Sequence, residues 1–211
     1  GYGCGDTLTD SVFLYPKPNA AFINTDRCEP EAYLPIDTSS VANAAGAVIN
    51  GWHWDFGDSY TSTTQNPSHN YGLPGSFGVV LEVTTNHGCR DTLVQVMNYN
   101  HKPQAAFSWP TNCWPQAAIF TDGSTISGSF LDEWHWDFGD GNTDTLQNPS
   151  HAFTIADTYA VALIVTSSEA CRDTLVQSMV SNPKPVASFE VPLRCMPAAL
   201  LFQNISTVGT G

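Results

Sequence analysis

The sequence predicts an all-β fold, two similar β-sandwiches in tandem. Three observations carry that prediction. The stretch Gly51-Trp52-His53-Trp54-Asp55-Phe56-Gly57-Asp58 recurs as Glu133-Trp134-His135-Trp136-Asp137-Phe138-Gly139-Asp140, identical at seven of eight positions. In both copies aromatics alternate with His and Asp, which puts them on one face of a strand with a period of two. No stretch sustains a helical period, and the 211 residues are punctuated by 16 Gly and 14 Pro.

The elements of the first whole unit follow in order. Ala20-Ala21-Phe22-Ile23 opens it. Glu31-Ala32-Tyr33-Leu34-Pro35-Ile36 follows a Cys28-Glu29-Pro30 turn. A polar stretch with Asn43 and Gly46 leads to the Trp strand, which Gly57-Asp58 ends in a tight turn. Ser62-Thr63-Thr64 is short and polar and suits an edge. Asn66-Pro67 fixes a turn. Phe77, Val79, Leu81 and Val83 alternate with Gly78, Val80 and Glu82 as a strand facing the core. Thr92-Leu93-Val94-Gln95-Val96 closes the unit.

Repeats set the period. Gly3-Cys4-Gly5-Asp6-Thr7-Leu8 matches Gly88-Cys89-Arg90-Asp91-Thr92-Leu93 and Ala170-Cys171-Arg172-Asp173-Thr174-Leu175, at offsets of 85 and 82 residues. Lys17-Pro18-Asn19-Ala20-Ala21-Phe22 returns as Lys102-Pro103-Gln104-Ala105-Ala106-Phe107 and as Lys184-Pro185-Val186-Ala187-Ser188-Phe189. A period near 80 residues is an array of one domain per repeat. The expected domains are a truncated unit's last strand at 1–15, whole units at 17–99 and 102–181, and the first strands of a third unit at 184–211. The expectation is a segment of a longer array. It shows no signal peptide, and Gly1-Tyr2-Gly3-Cys4 is no start site. Proline-bearing joints (Tyr15-Pro16-Lys17-Pro18, Asn98-Tyr99-Asn100-His101-Lys102-Pro103, Ser181-Asn182-Pro183-Lys184-Pro185) read as stiff and predict a rod of beads.

Trp54-Asp55-Phe56-Gly57-Asp58, then Asn66-Pro67-Ser68-His69-Asn70-Tyr71, then Phe77-Gly78-Val79-Val80-Leu81-Glu82-Val83 resemble the PKD (polycystic kidney disease) domain. The second unit resembles it through Asn148-Pro149-Ser150-His151-Ala152-Phe153 and Tyr159-Ala160-Val161-Ala162-Leu163-Ile164-Val165. Phe153 departs from the usual Tyr, and Ser59 from the Gly kept as Gly141. The resemblance implies tandem immunoglobulin-like sandwiches used as extracellular spacers or interaction modules, and names no ligand.

Composition narrows the partners. With 20 acidic against 7 basic residues the formal charge is −13. That excludes nucleic acid and anionic lipid as expected partners. No apolar run is long enough to span a membrane. Low charge content with abundant Ser, Thr, Asn and Gly fits an extracellular or cell-surface protein.

Six cysteines fall two per period. Cys28, Cys113 and Cys195 follow the first strand; Cys4, Cys89 and Cys171 precede the last. The repeat predicts disulfides Cys28–Cys89 and Cys113–Cys171, each closing a loop of about sixty residues and worth roughly 4 kcal/mol. Cys4 and Cys195 then lack an in-phase partner, with a bond between successive chains as the alternative. A zinc site would need clustered cysteines, which are absent.

Six histidines raise a catalytic or metal reading. Ser68-His69 and Ser150-His151 are adjacent on extended chain and point to opposite faces, so no serine–histidine relay is expected. Asp55, Asp58, Asp137 and Asp140 flank turns and are expected to cap backbone amides; calcium would need six to eight oxygens. No phosphate loop, HExxH or GxSxG is present. The expectation is no catalytic residue, no metal and no cofactor.

Trp109 and Trp114 lack Trp counterparts in the first unit. Core or joint packing is expected for them, with sugar stacking as the rival. Asp6-Thr7-Leu8, Asp91-Thr92-Leu93, Asp173-Thr174-Leu175, Asp10-Ser11-Val12 and Asp144-Thr145-Leu146 resemble the O-glycosylation acceptor of Bacteroidetes-type bacteria. The rival is an ordinary strand start. The Lys-Pro joints also resemble PKD arrays in large surface proteins of such bacteria. Asn204-Ile205-Ser206 is one N-glycosylation sequon.

The functional expectation is a non-enzymatic stalk or fibre of a large surface or filament protein. Its partners would be neighbouring domains or copies of itself. The alternatives are a carbohydrate- or protein-binding adhesin, and an accessory region of a secreted hydrolase.

Overall fold

A computed structural model describes residues 8, 10, 13–111, 113–191 and 201–208. Among them every regular element is a strand. The chain divides into two units, Gly1–Asn100 and His101–Gly211.

The first unit contains β1 (Phe22–Ile23), β2 (Arg27–Cys28), β3 (Ile36–Asp37), β4 (Ile49–Asp55), β5 (Thr61–Ser62), β6 (Gly75–Thr85) and β7 (Arg90–Asn100). One layer is a five-stranded sheet in the order β2-β7-β6-β4-β5. The other is β1 with β3, extended by bridges between Asn19 and Ser40 and between Tyr33 and His69. Four features of the first unit read from the sequence hold in kind: β4 is the aromatic strand, β6 alternates, β5 is a short edge at 61–62 where 62–64 was expected, and β1 opens the unit at 22–23 where 20–23 was expected. Two segments differ. Residues 31–36 form no continuous strand; they contribute only the Tyr33 bridge and the first residue of β3. The closing strand is longer than 92–96 and runs the full length of β6.

The second unit repeats the plan with β8 (Phe107–Ser108), β9 (Ala118–Ile119), β10 (Thr121–Asp122), β11 (Leu131–Asp137), β12 (Thr143–Asp144), β13 (Ser150–His151), β14 (Thr158–Ser167) and β15 (Arg172–Val180). Its main sheet is β12-β11-β14-β15, faced by the pairs β10-β8 and β13-β9. Beyond it, β16 (Pro185–Val186) pairs with β19 (Thr207–Val208), and β17 (Phe189–Glu190) with β18 (Gln203–Asn204).

Each core lies between its two layers. Trp54, Phe56, Tyr33, Leu81 and Met97 are fully buried in the first, Trp136, Phe138, Phe120, Leu163 and Met179 in the second. Burying such side chains contributes about 1.5–3 kcal/mol each. Trp52 and Trp134 only flank the cores. Each turns its indole N–H to a carboxylate, Trp52 to Asp37 and Trp134 to Asp122, both at 2.8 Å. Tyr71 donates its hydroxyl to the Phe56 carbonyl at 2.9 Å, a bond that Phe153 lacks the group to repeat.

Two turns require a left-handed backbone. Gly57 has φ 79° and Gly139 φ 77°. A Cβ on Gly57 would lie 2.9 Å from the Gly78 carbonyl oxygen, and one on Gly139 2.6 Å from that of Ala160.

Candidate functional site

Four features carry whatever chemistry each unit has: a His–Asp pair, the cysteines, the acidic turns, and the points where the chain enters and leaves.

His69 Nε2 lies 2.7 Å from Asp58 Oδ2, and His151 Nε2 lies 2.8 Å from Asp140 Oδ2. Both rings stack on the strand aromatic, His69 on Phe56 at 4.2 Å and His151 on Phe138 at 4.1 Å between centroids. The His69 backbone also exchanges two hydrogen bonds with Tyr33. The repeated histidine therefore clamps the turn after the aromatic strand to the opposite layer. This pair was not foreseen from sequence. The available signal was that Asp58/His69 and Asp140/His151 keep a common spacing of eleven residues. Asp140 ionises more readily than an ordinary carboxylate: burial opposes the charge, but hydrogen bonds from His151 and Asn142 outweigh it.

The acidic turns cap backbone amides as expected. Asp55 Oδ1 accepts from Gly57 N–H and Asp58 Oδ1 from Tyr60 N–H; Asp137 and Asp140 do the same for Gly139 and Asn142. Among the described residues no group of three His, Cys, Asp or Glu is placed to hold a metal ion. His53 and His135 point outward into solvent.

The within-unit disulfides expected from the repeat are overturned. Cys28 and Cys171 are each disulfide-bonded, whereas Cys89 and Cys113 are free thiols. The reason is geometric. Cys28 stands opposite Asn100 at the end of β7, and Cys89 immediately precedes Arg90 at its start. The intervening extended strand separates them by roughly 36 Å, against about 4.4–6.8 Å between the Cα atoms of a disulfide. Cys113 likewise bridges to Asn182, beyond the far end of β15, while Cys171 precedes its first residue. Cys4 and Cys195 lie outside the described residues.

Aspartates near the start of the closing strand hold the incoming chain. Asp91 accepts from Ala20 N–H at 2.8 Å and pairs with Lys17 at 2.5 Å. Asp173 accepts from Ala105 N–H at 2.8 Å and pairs with Lys102 at 2.7 Å. The Lys-Pro and Asp-Thr-Leu repeats are thus two halves of one contact. The chain enters each unit at the start of the closing strand and leaves at its end, about 30 Å away at the rise of an extended strand.

Trp109 packs against Phe107 and Phe120 at the edge of the second core. Trp114 is 38% exposed. Thr92, Thr174 and Asn204 are exposed. Of the other acceptor-like motifs, Asp6, Thr7, Ser11 and Val12 lie outside the described residues. A shallow groove on the outer face of the second sheet is lined by Glu133, His135, Gln147, Ile164 and Arg172. No helix among the described residues is long and apolar enough to cross a membrane.

Comparison with known proteins resolves the family. The PKD domain profile matches residues 15–99 and again 100–181. The chain belongs to the PKD domain family. Among curated relatives, the microbial collagenase of Vibrio alginolyticus is 31% identical over 75 residues, covering 36% of this chain and 9% of the collagenase. The pre-pro-metalloprotease PrtV of Vibrio cholerae is 32% identical over 79 residues, covering 36% of this chain and 9% of PrtV. The match thus spans under a tenth of these relatives. Among solved structures, the PKD1 domain of Vibrio anguillarum Epp is 27% identical with a TM-score of 0.37, covering 39% of this chain and 95% of that domain. The PKD1 domain of PrtV is 29% identical with a TM-score of 0.36, covering 38% and 96%. These relatives are Vibrio proteins and lend no support to the expected Bacteroidetes-type source.

Proposed function

We propose that this tandem PKD chain is a non-catalytic spacer of a secreted protein, a stalk that sets distance. One observation carries the reading: each PKD unit receives the chain at one pole, where Asp91 or Asp173 grips it, and releases it at the other. A unit threaded this way puts the length of its closing strand between its own two ends. The acidic surface, with a formal charge of −13, favours a soluble, non-sticking spacer.

Small-angle scattering of the 211-residue chain tests it. A compact globule of this length has a radius of gyration of about 17 Å. The spacer reading expects a value well above that; a value at the globular figure overturns it.

A second reading is favoured by the relatives. PKD domains accompany a collagenase and a metalloprotease, so this segment would hold a catalytic domain of the same secreted protein away from its neighbours. A full reading frame encoding a protease domain is the expected result; a frame composed only of repeats excludes it.

A further inference from the structure

We propose that the open edge of the second PKD unit is a self-association site: β15 pairs antiparallel with β15 of a second copy of this chain, in a register centred on Val176. The site lies wholly within that unit, and the inference is independent of the spacer reading.

The closing strand is a sheet edge for most of its length in both units, but the first unit caps it. There Asn24 Nδ2 donates to the Val96 carbonyl at 2.7 Å, and Asp26 Oδ1 accepts from the Asn98 N–H at 2.7 Å. Alternate residues of β7 therefore turn their backbone groups away from β6 and toward the edge. Phe107 is the counterpart of Phe22, and Asp173 that of Asp91. Asn24 and Asp26 thus become Trp109 and Thr111, while Val96 and Asn98 become Ser178 and Val180. Trp109 turns to Phe107 and Phe120, and Thr111 is exposed. Among the described residues nothing bonds to the edge-facing backbone of Val176, Ser178 or Val180. The bridge from Cys113 to Asn182 lies past the end of the strand. The free run is Arg172–Val180, and Val176 is its midpoint.

Nothing on this strand discourages pairing. It holds no Lys and no Pro, and its register with β14 is unbroken by a bulge. Val176 is 57% exposed and Val180 52%.

The strand suits its own copy. Across a two-fold at Val176, valine meets valine and Thr174 meets Ser178, both favourable cross-strand pairs. The charged residues, Arg172 and Asp173, sit together at one end. Antiparallel pairing sends them to opposite ends of the seam, whereas parallel pairing would lay Arg172 on Arg172. Residues 174–180 carry no charge, so the net −13 puts no like charges face to face there. Such a contact is isologous and closes as a dimer. The far edge of the sheet is β12, two residues long, too short to carry the ladder further.

Sedimentation equilibrium of the 211-residue chain tests the proposal. The parent should reach twice the 22.8 kDa of one chain as concentration rises, and should dissociate in denaturant without reductant. Val176→Lys and Val176→Glu each set like charges directly opposite one another. Each alone should be a monomer that melts like the parent, and an equal mixture should restore the dimer, because Lys then faces Glu. Val94→Lys, the same position in the first unit, should leave the dimer unchanged. A parent that is a monomer at its highest soluble concentration overturns the proposal. So does a dimer that survives Val176→Lys, a mixture that stays monomeric, or open-ended assembly. A monomeric parent whose Val176 and Ser178 amides exchange more slowly only with an added alternating Thr-Val peptide gives the edge to a foreign strand, and overturns it too. Mass and not shape is read, so the outcome is separate from that of the spacer reading.

Discussion

Asp58 Oδ2 and His69 Nε2 stand 2.7 Å apart, and the second unit reproduces the pair as Asp140 and His151 at 2.8 Å. In each case the imidazole lies flat on a phenylalanine of the aromatic strand, within 8° of parallel at His69 and 3° at His151. Removing one partner strands the other in a place with little water. Asp140→Ala is expected to lower stability by about 1.5–3 kcal/mol, the scale for a lost hydrogen bond to a charged group. Denaturant unfolding followed by tryptophan fluorescence checks it.

Acid should weaken both units. Burial is the largest influence on Asp37 and Asp122, and it opposes ionisation. Hydrogen bonds outweigh it: from Ser39, Gln65 and Trp52 for Asp37, and from Ser124, Gln147 and Trp134 for Asp122. Asp140 and Asp173 are also lowered, so all four titrate below the ordinary 3.8. Their contribution is complete above that value and is lost as pH falls through the lower folded values. The melting temperature should therefore hold from pH 7 to about pH 5 and drop below pH 4. Asp122→Asn should flatten that drop.

Two turn positions carry side chains where the other unit has glycine. Ser59 has φ 76° where Gly141 has φ 92°, and Ala170 has φ 61° where Gly88 has φ 79°. Ser59→Gly and Ala170→Gly should each stabilise by about 1 kcal/mol, the lower end of the left-handed penalty for a residue with a Cβ. Gly139→Ala should do the reverse by roughly 2–3 kcal/mol, because its new methyl meets a backbone oxygen. Thermal melts of the three variants check both signs.

In each unit a carboxylate holds the amide of the incoming segment, Asp91 that of Ala20 and Asp173 that of Ala105. Asp173→Ala should leave the core intact and release the Ala105 amide, which then exchanges with solvent at least about tenfold faster. Hydrogen exchange read at Ala105, with Met179 and Leu163 amides as unchanged controls, decides it.

The comparison with the sequence shows which signals were legible. Period-two aromatics revealed Trp54, Phe56, Trp136 and Phe138 as core, because alternation translates directly into a buried face. The capping roles of Asp55 and Asp137 were also readable, since an Asp two residues before a turn glycine has few other targets. Cysteine pairing was not readable. Equal spacing says that two cysteines recur together, but not that they sit at the same end of a strand; the register of Cys28 on Asn100 supplies that. The clamp between Asp58 and His69 was hidden for a similar reason. Its two residues belong to different layers, and only the fold brings them within reach.

The opposed positions of Lys17 and Asn100 along β7 fix how a PKD unit resists tension. A pull on the two ends acts parallel to β6 and β7, whose ladder runs from Gly75–Tyr99 to Thr84–Arg90. Its rungs are then sheared together rather than peeled one after another. A unit built this way yields abruptly at a high load, so a tether made from such units would stay taut up to that threshold.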